Sequence, residues 1–260
     1  MEAEHTNALG RAMQTTKKIR LDDLLVSRGT FKTRDDVKRA VIAGEVRLGD
    51  SVAKSVAERV AHDADVQVKR TRKYVSRGGF KLEGALRDFE QDVRGLRCVD
   101  IGSSTGGFTD CLLQHGAASV ACVDVNYGQL AWKLRQDARV TAFERTNVRT
   151  ADPAKIGAPF DLLVADLSFI GLSTLAQTLA CYCSGGSVLI ALVKPQFESC
   201  PGEAVGGYVE REDVRKRCVQ EVREALVSAG FDVTHTAKSV IRGKKRGNVE
   251  YLVRATYIEK

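Results

Sequence analysis

The chain has 260 residues, 43% of them hydrophobic, which is enough for a packed core in one large domain or in a small domain and a medium one. No uncharged run approaches the roughly 18 residues of a membrane-spanning helix, and the first residues do not resemble a secretion signal. The seven cysteines include no C-x-x-C pair, so they predict neither a disulfide framework nor a metal site. We therefore expect a cytoplasmic protein. The net charge of +7 is local, since residues 17 to 81 carry 17 Lys and Arg against 9 Asp and Glu, whereas residues 82 to 260 carry 22 of each.

The first part of the chain predicts a small α+β module over residues 17 to 68, preceded by a flexible tail, residues 1 to 16. The stretch "IRLDDLLVSRG" predicts a short amphipathic helix. Its apolar face would consist of Ile19, Leu21, Leu24 and Leu25. The stretch "TRDDVKRAVIAGEVRLGD" predicts a second helix with Thr33 as N-cap and Gly44 as the residue that ends it. Short strands are expected in "EVRL" and "DVQVKR".

Basic residues cluster in this module, and they indicate either an RNA-binding surface or a solvated basic face. The candidate RNA-binding residues are Arg20, Arg28, Lys32, Arg34, Lys38 and Arg39. The sequence "RLDDLLVSRG…TRDDVKRAVIAGEVRLGD" is similar to the S-four RNA-binding domain. It departs from that family's usual pattern at Gly49-Asp50, where the family has Asn-Gly. A basic linker, residues 69 to 76, follows and adds Arg72 and Lys73 to the candidates.

From residue 96, apolar runs alternate with helical stretches, which is typical of a doubly wound α/β domain. The strands are expected in "LRCVDIG", "SVACVDV", "RVTAF", "DLLVADL" and "SVLIALV", and the helices at 107–115, 127–136, 171–183 and 211–229. The last two strands, "FDVTHTAKSV" and "VEYLVRATYI", predict an antiparallel hairpin. A mostly parallel sheet that ends in such a hairpin is what a Rossmann-like class I methyltransferase fold shows, and we assign it to residues 77 to 260.

The glycine-rich turn in "VDIGSSTGGFTD" joins a strand that ends at Ile101 to a helix that begins near Gly107. Glycines allow close approach of a ligand, and a helix N-terminus supplies N–H donors. Ser104 replaces the second glycine of the dinucleotide fingerprint, and Asp100 precedes the turn, which favours the methionine ammonium of S-adenosylmethionine over a pyrophosphate. The candidate cofactor residues are Asp100, Gly102, Ser103, Ser104, Thr105, Gly106, Gly107, Phe108, Asp124 and Asn147. A turn of purely structural use is the alternative.

Charged residues follow the predicted strands at the edge where open α/β sheets place their sites. Asp166 ends "VADL", and Lys194 closes the apolar run "SVLIALV". Desolvation disfavours the charged form of a lysine and so makes Lys194 a candidate base, although a lysine that only extends its stem along apolar surface is the alternative. Lys81 lies at a helix start in "SRGGFKL", and Glu250 begins the last strand, where a glutamate is usually solvated.

In the order Lys81, Asp166, Lys194, Glu250, these residues resemble the K-D-K-E tetrad of the FtsJ (RrmJ-like) ribose 2′-O-methyltransferases. Together with "DIGSSTGGFTD", "ADLSFI", "LVKPQFE" and "GNVEY", they resemble the TlyA family of rRNA 2′-O-methyltransferases, historically described as hemolysins. The resemblance implies that Lys194 activates a 2′-hydroxyl, that the two carboxylates orient it, and that Lys81 positions the ribose or its phosphate. It also implies transfer to ribosomal RNA, at cytidines of the small or large subunit.

Two loops are expected on the substrate side. The stretch "ESCPGEAVGGYVERED" predicts a mobile loop near the place where RNA enters, and "RGKKRGN" adds Lys244, Lys245 and Arg246 as candidate RNA-binding residues. The expected partner is ribosomal RNA or a ribosomal subunit, with no membrane and no metal, and a monomer is favoured. The alternatives are an RNA-binding protein with a catalytically idle cofactor fold and a pore-forming cytolysin, for which the sequence offers no inserting segment of suitable length.

Overall fold

The computed structural model describes residues 18–42, 44–68, 73–243 and 246–259. The chain divides into two compact units, residues 1–72 and residues 73–260. The predicted tail and three candidate RNA-binding residues, Arg72, Lys244 and Lys245, lie outside the described residues.

The first unit is the small α+β module that the sequence predicts. Its helices are α1 (Leu21–Ser27) and α2 (Arg34–Ile42). Its strands are β1 (Lys18–Arg20), β2 (Val46–Leu48), β3 (Ser51–Val52), β4 (Arg59–Ala61) and β5 (Val66–Val68). They form a two-stranded sheet, β1–β4, and a three-stranded sheet, β3–β2–β5. Leucines of α1 and the apolar side of α2 share one core, with Leu21, Leu24 and Val37 fully buried.

Helix α2 of this unit begins and ends where its capping residues predict. Thr33 caps α2 as expected, since its hydroxyl accepts from the Asp36 N–H at 3.2 Å while the Asp36 carboxylate accepts from the Thr33 N–H at 3.1 Å. Gly44 takes φ +69 just after the helix. The prediction for Ile19 was wrong: Ile19 lies in β1 opposite Val60 of β4, because backbone pairing with that strand holds the chain extended up to Arg20.

The second unit is built on one seven-stranded sheet. Its strands are β6 (Arg97–Ile101), β7 (Ser119–Val123), β8 (Val140–Phe143), β9 (Leu162–Ala165), β10 (Val188–Val193), β11 (Phe231–Lys238) and β12 (Tyr251–Tyr257). Their spatial order is β11-β12-β10-β9-β6-β7-β8. The five strands β6 to β10 pair in parallel, and β12 pairs antiparallel with both β10 and β11. This is the predicted class I methyltransferase topology with its terminal hairpin.

Helices cover both faces of this sheet and bury its apolar runs in two cores. The helices are α3 (Gly78–Asp88), α4 (Gly107–Gln114), α5 (Trp132–Arg135), α6 (Pro153–Ile156), α7 (Ala176–Ala180), α8 (Pro195–Glu198) and α9 (Glu212–Ser228), with a 3₁₀ turn at Ser173–Leu175. Leu82 of α3 and Leu112 of α4 lie in one core, and Leu179 of α7 and Val222 of α9 lie in the other. Among the described residues, no helix is long and apolar enough to cross a membrane.

Two predicted helices were too long. The helix expected at 127–136 is confined to the four residues of α5, because Gly128 takes φ +74 and the preceding segment forms a loop. The helix expected at 171–183 is a 3₁₀ turn followed by the five residues of α7. The strand order reverses between β6 and β9, so a crevice opens at the carboxyl ends of these two strands, where ligands bind in open α/β sheets.

Candidate active site

Four charged side chains from distant parts of the sequence meet at the carboxyl edge of the sheet. The Lys81 Nζ donates to Glu250 Oε2 at 2.6 Å and lies 3.9 Å from Asp166 Oδ2. The Lys194 Nζ lies 2.6 Å from Asp166 Oδ1 and donates to Ser168 Oγ at 3.1 Å. Two ammonium groups and two carboxylates thus form one alternating, nearly neutral row. The structure brings together all four residues that the sequence singles out.

The sheet register fixes this meeting. Asp166 directly follows β9, and Lys194 directly follows the neighbouring parallel strand β10. Because β12 runs antiparallel to β10 and pairs Tyr251 with Val193, the residue before β12 arrives at the same edge. That residue is Glu250, whose side chain is only 4% exposed. The expectation that it would be solvated was wrong, because the Lys81 ammonium accompanies it into the interior.

Lys81 is the fourth residue of α3, and close packing at the start of this helix aims it inward. Neither Gly78 nor Gly79 takes a positive φ, so neither glycine is required by a left-handed turn before the helix. A Cβ on Gly79 would lie 2.2 Å from the Tyr74 ring, which is fully buried. A Cβ on Gly107 of α4 would lie 3.2 Å from the Gly78 Cα. The glycines let α3 pack closely against Tyr74 and α4.

The glycine-rich turn after β6 joins the strand that ends at Ile101 to α4, as its sequence predicts. Gly102, Ser104 and Gly106 take positive φ values of 82°, 47° and 89°. At Gly106 the requirement is also steric, since a Cβ there would lie 2.2 Å from Leu134 of α5. The turn ends at the N-terminus of α4, which begins at Gly107 as expected.

Three adjoining cavities run along this edge of the sheet. The large cavity, about 500 Å³, lies against Gly102, Ser104, Asp124 and Asn147. The small cavity, about 180 Å³, lies against the remaining candidate cofactor residues except Gly106, namely Asp100, Ser103, Thr105, Gly107 and Phe108. The lysine cavity, about 420 Å³, lies against Lys81, Lys194 and Glu250. Asp166 lines both the large and the small cavity, and Lys194 lines both the small and the lysine cavity.

Asp100 carries a buried carboxylate with one unused oxygen. Its Oδ2 accepts from the Thr109 hydroxyl at 2.6 Å and from the Thr109 N–H at 3.0 Å, whereas its Oδ1 is buried without a hydrogen-bond partner among the described residues. Burial, with a smaller contribution from the nearby carboxylates of Asp166 and Asp124, raises the pKa of Asp100 to about 7, although the hydrogen bonds from Thr109 act in the opposite direction. An unpaired buried acceptor beside a cavity suits a cationic ligand group such as an ammonium.

Asp124 and Asn147 both line the large cavity. The Asp124 carboxylate accepts from the Ser104 N–H at 2.7 Å and from the Asn126 N–H at 2.8 Å, so it fixes the turn while facing the cavity. The Asn147 Oδ1 accepts from the Arg149 N–H at 3.0 Å, which leaves its amide group for other contacts. Both residues stay candidates for contact with the nucleoside part of a cofactor.

The candidate RNA-binding residues of the first unit are mostly paired within it. Arg20 binds Asp22, Arg34 binds Asp23, and Arg39 binds Asp36, while Arg28 donates to the carbonyls of His62 and Ala64. Lys32 and Lys38 form no ion pair with a described residue. In the second unit, Lys73 pairs with Glu83. Arg246 lines the lysine cavity, so it is the described basic candidate that faces the tetrad.

Several residues of the site were missed from the sequence. Ser76 and Gly78 line the small cavity, and Ser168 contacts Lys194 and lines all three cavities. Glu198 binds the backbone N–H of Leu172 at 2.5 Å and thereby fixes the loop after Asp166. The position of Ser168 two residues after Asp166 in "ADLSF" was an available signal, whereas the contact of Glu198 depends on the fold. Among the described residues, no group of His, Cys, Asp and Glu side chains is arranged to hold a metal.

Comparison with known proteins places this site in a family. A model of the FtsJ-like methyltransferases matches residues 74–257. A presumed rRNA methyltransferase of Bacillus subtilis, YqxC, is 44% identical over 92% of this chain and 86% of its own length. The 16S/23S rRNA (cytidine-2′-O)-methyltransferase TlyA of Mycobacterium tuberculosis is 42% identical over 91% of this chain and 89% of its own.

A solved structure of a presumed hemolysin from Streptococcus thermophilus is also similar. It is 37% identical, has a TM-score of 0.71, and covers 95% of this chain and 90% of its own. The matched segment contains all four tetrad residues and the glycine-rich turn, and the resemblance to TlyA proteins noted from the motifs is confirmed. The chain belongs to the FtsJ-like methyltransferase family and, within it, stands with the TlyA proteins.

Proposed function

We propose that the protein is an S-adenosylmethionine-dependent RNA methyltransferase that methylates a ribose 2′-hydroxyl of ribosomal RNA, at a cytidine of the small or large subunit. The observation that carries this proposal is the paired row Glu250–Lys81–Asp166–Lys194. Its two lysines and Glu250 line the lysine cavity, and Asp166 lines the adjoining cavities of the glycine-rich turn. The family and the names of the relatives, which include an rRNA (cytidine-2′-O)-methyltransferase, support the same reaction.

The residues around the large and small cavities fit the cofactor. The unused Asp100 Oδ1 suits the methionine ammonium, and the large cavity between Asp124 and Asn147 has room for the adenosine. When bound, the cofactor supplies an electrophilic methyl group on a sulfonium sulfur. The chain itself contributes the walls of these cavities, and Lys194, paired with Asp166, lines both the small cavity and the lysine cavity.

The lysine cavity fits the acceptor ribose. A 2′-hydroxyl is a weak nucleophile at neutral pH, so it needs a proton acceptor or positive charge where its oxygen becomes negative. Lys194 offers the positive charge next to the small cavity, and Asp166 holds its ammonium at 2.6 Å. Lys81, held by Glu250, offers a second cation for the ribose or its phosphate. These fixed pairs need no rearrangement during the reaction, which is how preorganised charges lower a barrier.

The first unit would supply affinity for the RNA. Its resemblance to the S-four domain and its unpaired Lys32 and Lys38 support a role of residues 17–68 in binding RNA, with residues 77–260 as the methyltransferase domain. Binding that depends on contacts between lysines and phosphates weakens as the salt concentration rises, so the affinity for ribosomal RNA should fall steeply with salt.

The test is transfer of labelled methyl groups from S-adenosylmethionine to ribosomal subunits and to protein-free ribosomal RNA. We expect 2′-O-methylcytidine after digestion to nucleosides, and no product with Lys194→Ala. An RNA-binding protein with an idle cofactor fold would bind the RNA and yield no methylated nucleoside. Full activity of Lys194→Ala would contradict the assignment of the tetrad.

A further inference from the structure

A fourth cavity, here called the flank cavity, adjoins the lysine cavity. It measures about 740 Å³ and is lined by Gly202, Glu203, Val205, Tyr208, Arg211 and Arg246 among others. Arg246 also lines the lysine cavity, so this one side chain stands between the two. A linear polymer bound at the tetrad can therefore continue past Arg246 into the flank cavity.

A tight hairpin separates the two cavities. Val205 and Tyr208 form an antiparallel bridge, and the two residues between them, Gly206 and Gly207, take φ values of +56° and +81°. These positive values at both central positions are typical of a type I′ turn. The two glycines line the lysine cavity, while Val205 and Tyr208 line the flank cavity. The hairpin therefore presents glycine backbone to the lysine cavity and the Tyr208 ring to the flank cavity.

The segment that the sequence predicts as a mobile loop instead contains a hairpin that hydrogen bonds anchor on both sides, so the flank cavity is preformed. The Asn248 Nδ2 donates to the Gly207 carbonyl at 2.7 Å, and its Oδ1 accepts from the Val209 N–H at 3.2 Å. On the other side, Arg217 of α9 donates to Glu203 at 2.9 Å, and Arg215 donates to the Val209 carbonyl at 2.9 Å. Because Asn248 lies two residues before Glu250, the hairpin is tied directly to the tetrad segment.

Among the described residues that line the flank cavity, two charged side chains form no ion pair, the Glu210 carboxylate and the Arg246 guanidinium. The Arg217 guanidinium beside Glu203 lowers the pKa of that carboxyl, and Arg211 pairs with Asp213. Arg246 forms no ion pair with any described residue, and its guanidinium lies against the backbone of Gly206. In a nucleic acid, successive nucleosides are joined by one phosphate. An unpaired guanidinium between two cavities is suited to bind that phosphate.

We propose that the flank cavity binds the nucleotide adjacent to the methylated one, with its base against the Tyr208 ring and the connecting phosphate on Arg246. This inference rests on the proposed function and deepens it, since it makes the hairpin Val205–Tyr208 a determinant of which RNA segment is accepted. Stacking on an aromatic ring tolerates any base, so the subsite requires an unpaired, accessible neighbour rather than a particular base.

The test uses the RNA that the wild-type protein methylates, with an abasic nucleotide placed in turn on the 5′ and the 3′ side of the acceptor. For the wild type, loss of one neighbouring base, and not of the other, should raise the KM for RNA about tenfold. Tyr208→Ala should raise the KM on intact RNA to the same extent, leave kcat unchanged, and lose the response to the abasic nucleotide. Tyr208→Phe keeps the ring and should behave as the wild type.

Arg246→Gln should raise the KM for every RNA and weaken its dependence on salt, whereas Lys216→Gln, an exposed charge change on α9 outside the cavity, should do neither. The inference is wrong if Tyr208→Ala and the wild type respond equally to both abasic substitutions, or if neither neighbour affects the wild type. Absence of any methyl transfer by the wild type would instead contradict the proposed function.

Discussion

Replacement of Lys81 by alanine should separate methyl transfer from cofactor binding. Lys81 lines the lysine cavity and neither of the two cavities assigned to the cofactor. Removing a preorganised group that positions the ribose misplaces the reacting hydroxyl, and a misplacement of about 1 Å costs a factor of about 100 in turnover. We therefore expect kcat for RNA methylation to fall at least about 100-fold, while the Kd for S-adenosylmethionine, measured by titration calorimetry, stays close to that of the wild type.

The same variant should destabilise the protein, because Lys81→Ala leaves the 4%-exposed Glu250 carboxylate without its ammonium partner. Breaking a buried ion pair from one side costs about 3–5 kcal/mol. The double variant Lys81→Met with Glu250→Gln removes both charges, so denaturant unfolding should show that most of this stability returns while turnover stays low. Turnover that recovers together with stability, or cofactor affinity that falls as far as kcat, would refute the role assigned to Lys81.

Three further changes test other parts of the site. Because the pKa of Asp100 is about 7 in the protein without ligand and a bound ammonium lowers that pKa, cofactor affinity should rise with pH up to about 7 and then level off; calorimetry on Asp100→Asn should show no such rise. Glu198→Gln should loosen the loop after Asp166, lowering the free energy of unfolding by about 1–3 kcal/mol and weakening cofactor binding; an unchanged thermal midpoint would contradict this. Gly79→Ala should destabilise the second unit, since the new methyl group overlaps the Tyr74 ring. Gly185→Ala, at an exposed position without a positive φ where the methyl group meets only the Glu259 side chain, should cost little; equal losses would show that the packing of α3 is not tight.

The parallel strands and the turn after β6 could be predicted because their signals are local. Nearly continuous apolar runs mark strands that are buried on both faces, and the ends of those runs give the sheet edge. Asp166 and Lys194 follow β9 and β10 directly, so parallel pairing alone brings them to one edge. The glycine-rich turn likewise carries its conformation in its own residues, since Gly102 and Gly106 take positive φ values.

The environment of Glu250 could not be predicted, because its partner Lys81 lies 169 residues away. A strand-start glutamate is ordinarily solvated, and only the antiparallel insertion of β12 beside β10 brings it inward.

The segment before α5 was misread for a related reason: its apolar spacing fits a helix, yet Asn126 and Gln129 form part of the wall of the large cavity. Residues that line a site follow the demands of the site rather than helical periodicity.

Mapping of 2′-O-methyl groups on ribosomal RNA from cells with and without this gene tests the assigned reaction most directly. We expect at least one cytidine to carry the modification only when the gene is present, to lose it when Lys194→Ala replaces the wild type, and to regain it when purified wild-type protein and S-adenosylmethionine are added to the unmodified subunits. Identical maps with and without the gene, or a methyl group on a base rather than on the ribose, would contradict the proposed transfer to a 2′-hydroxyl.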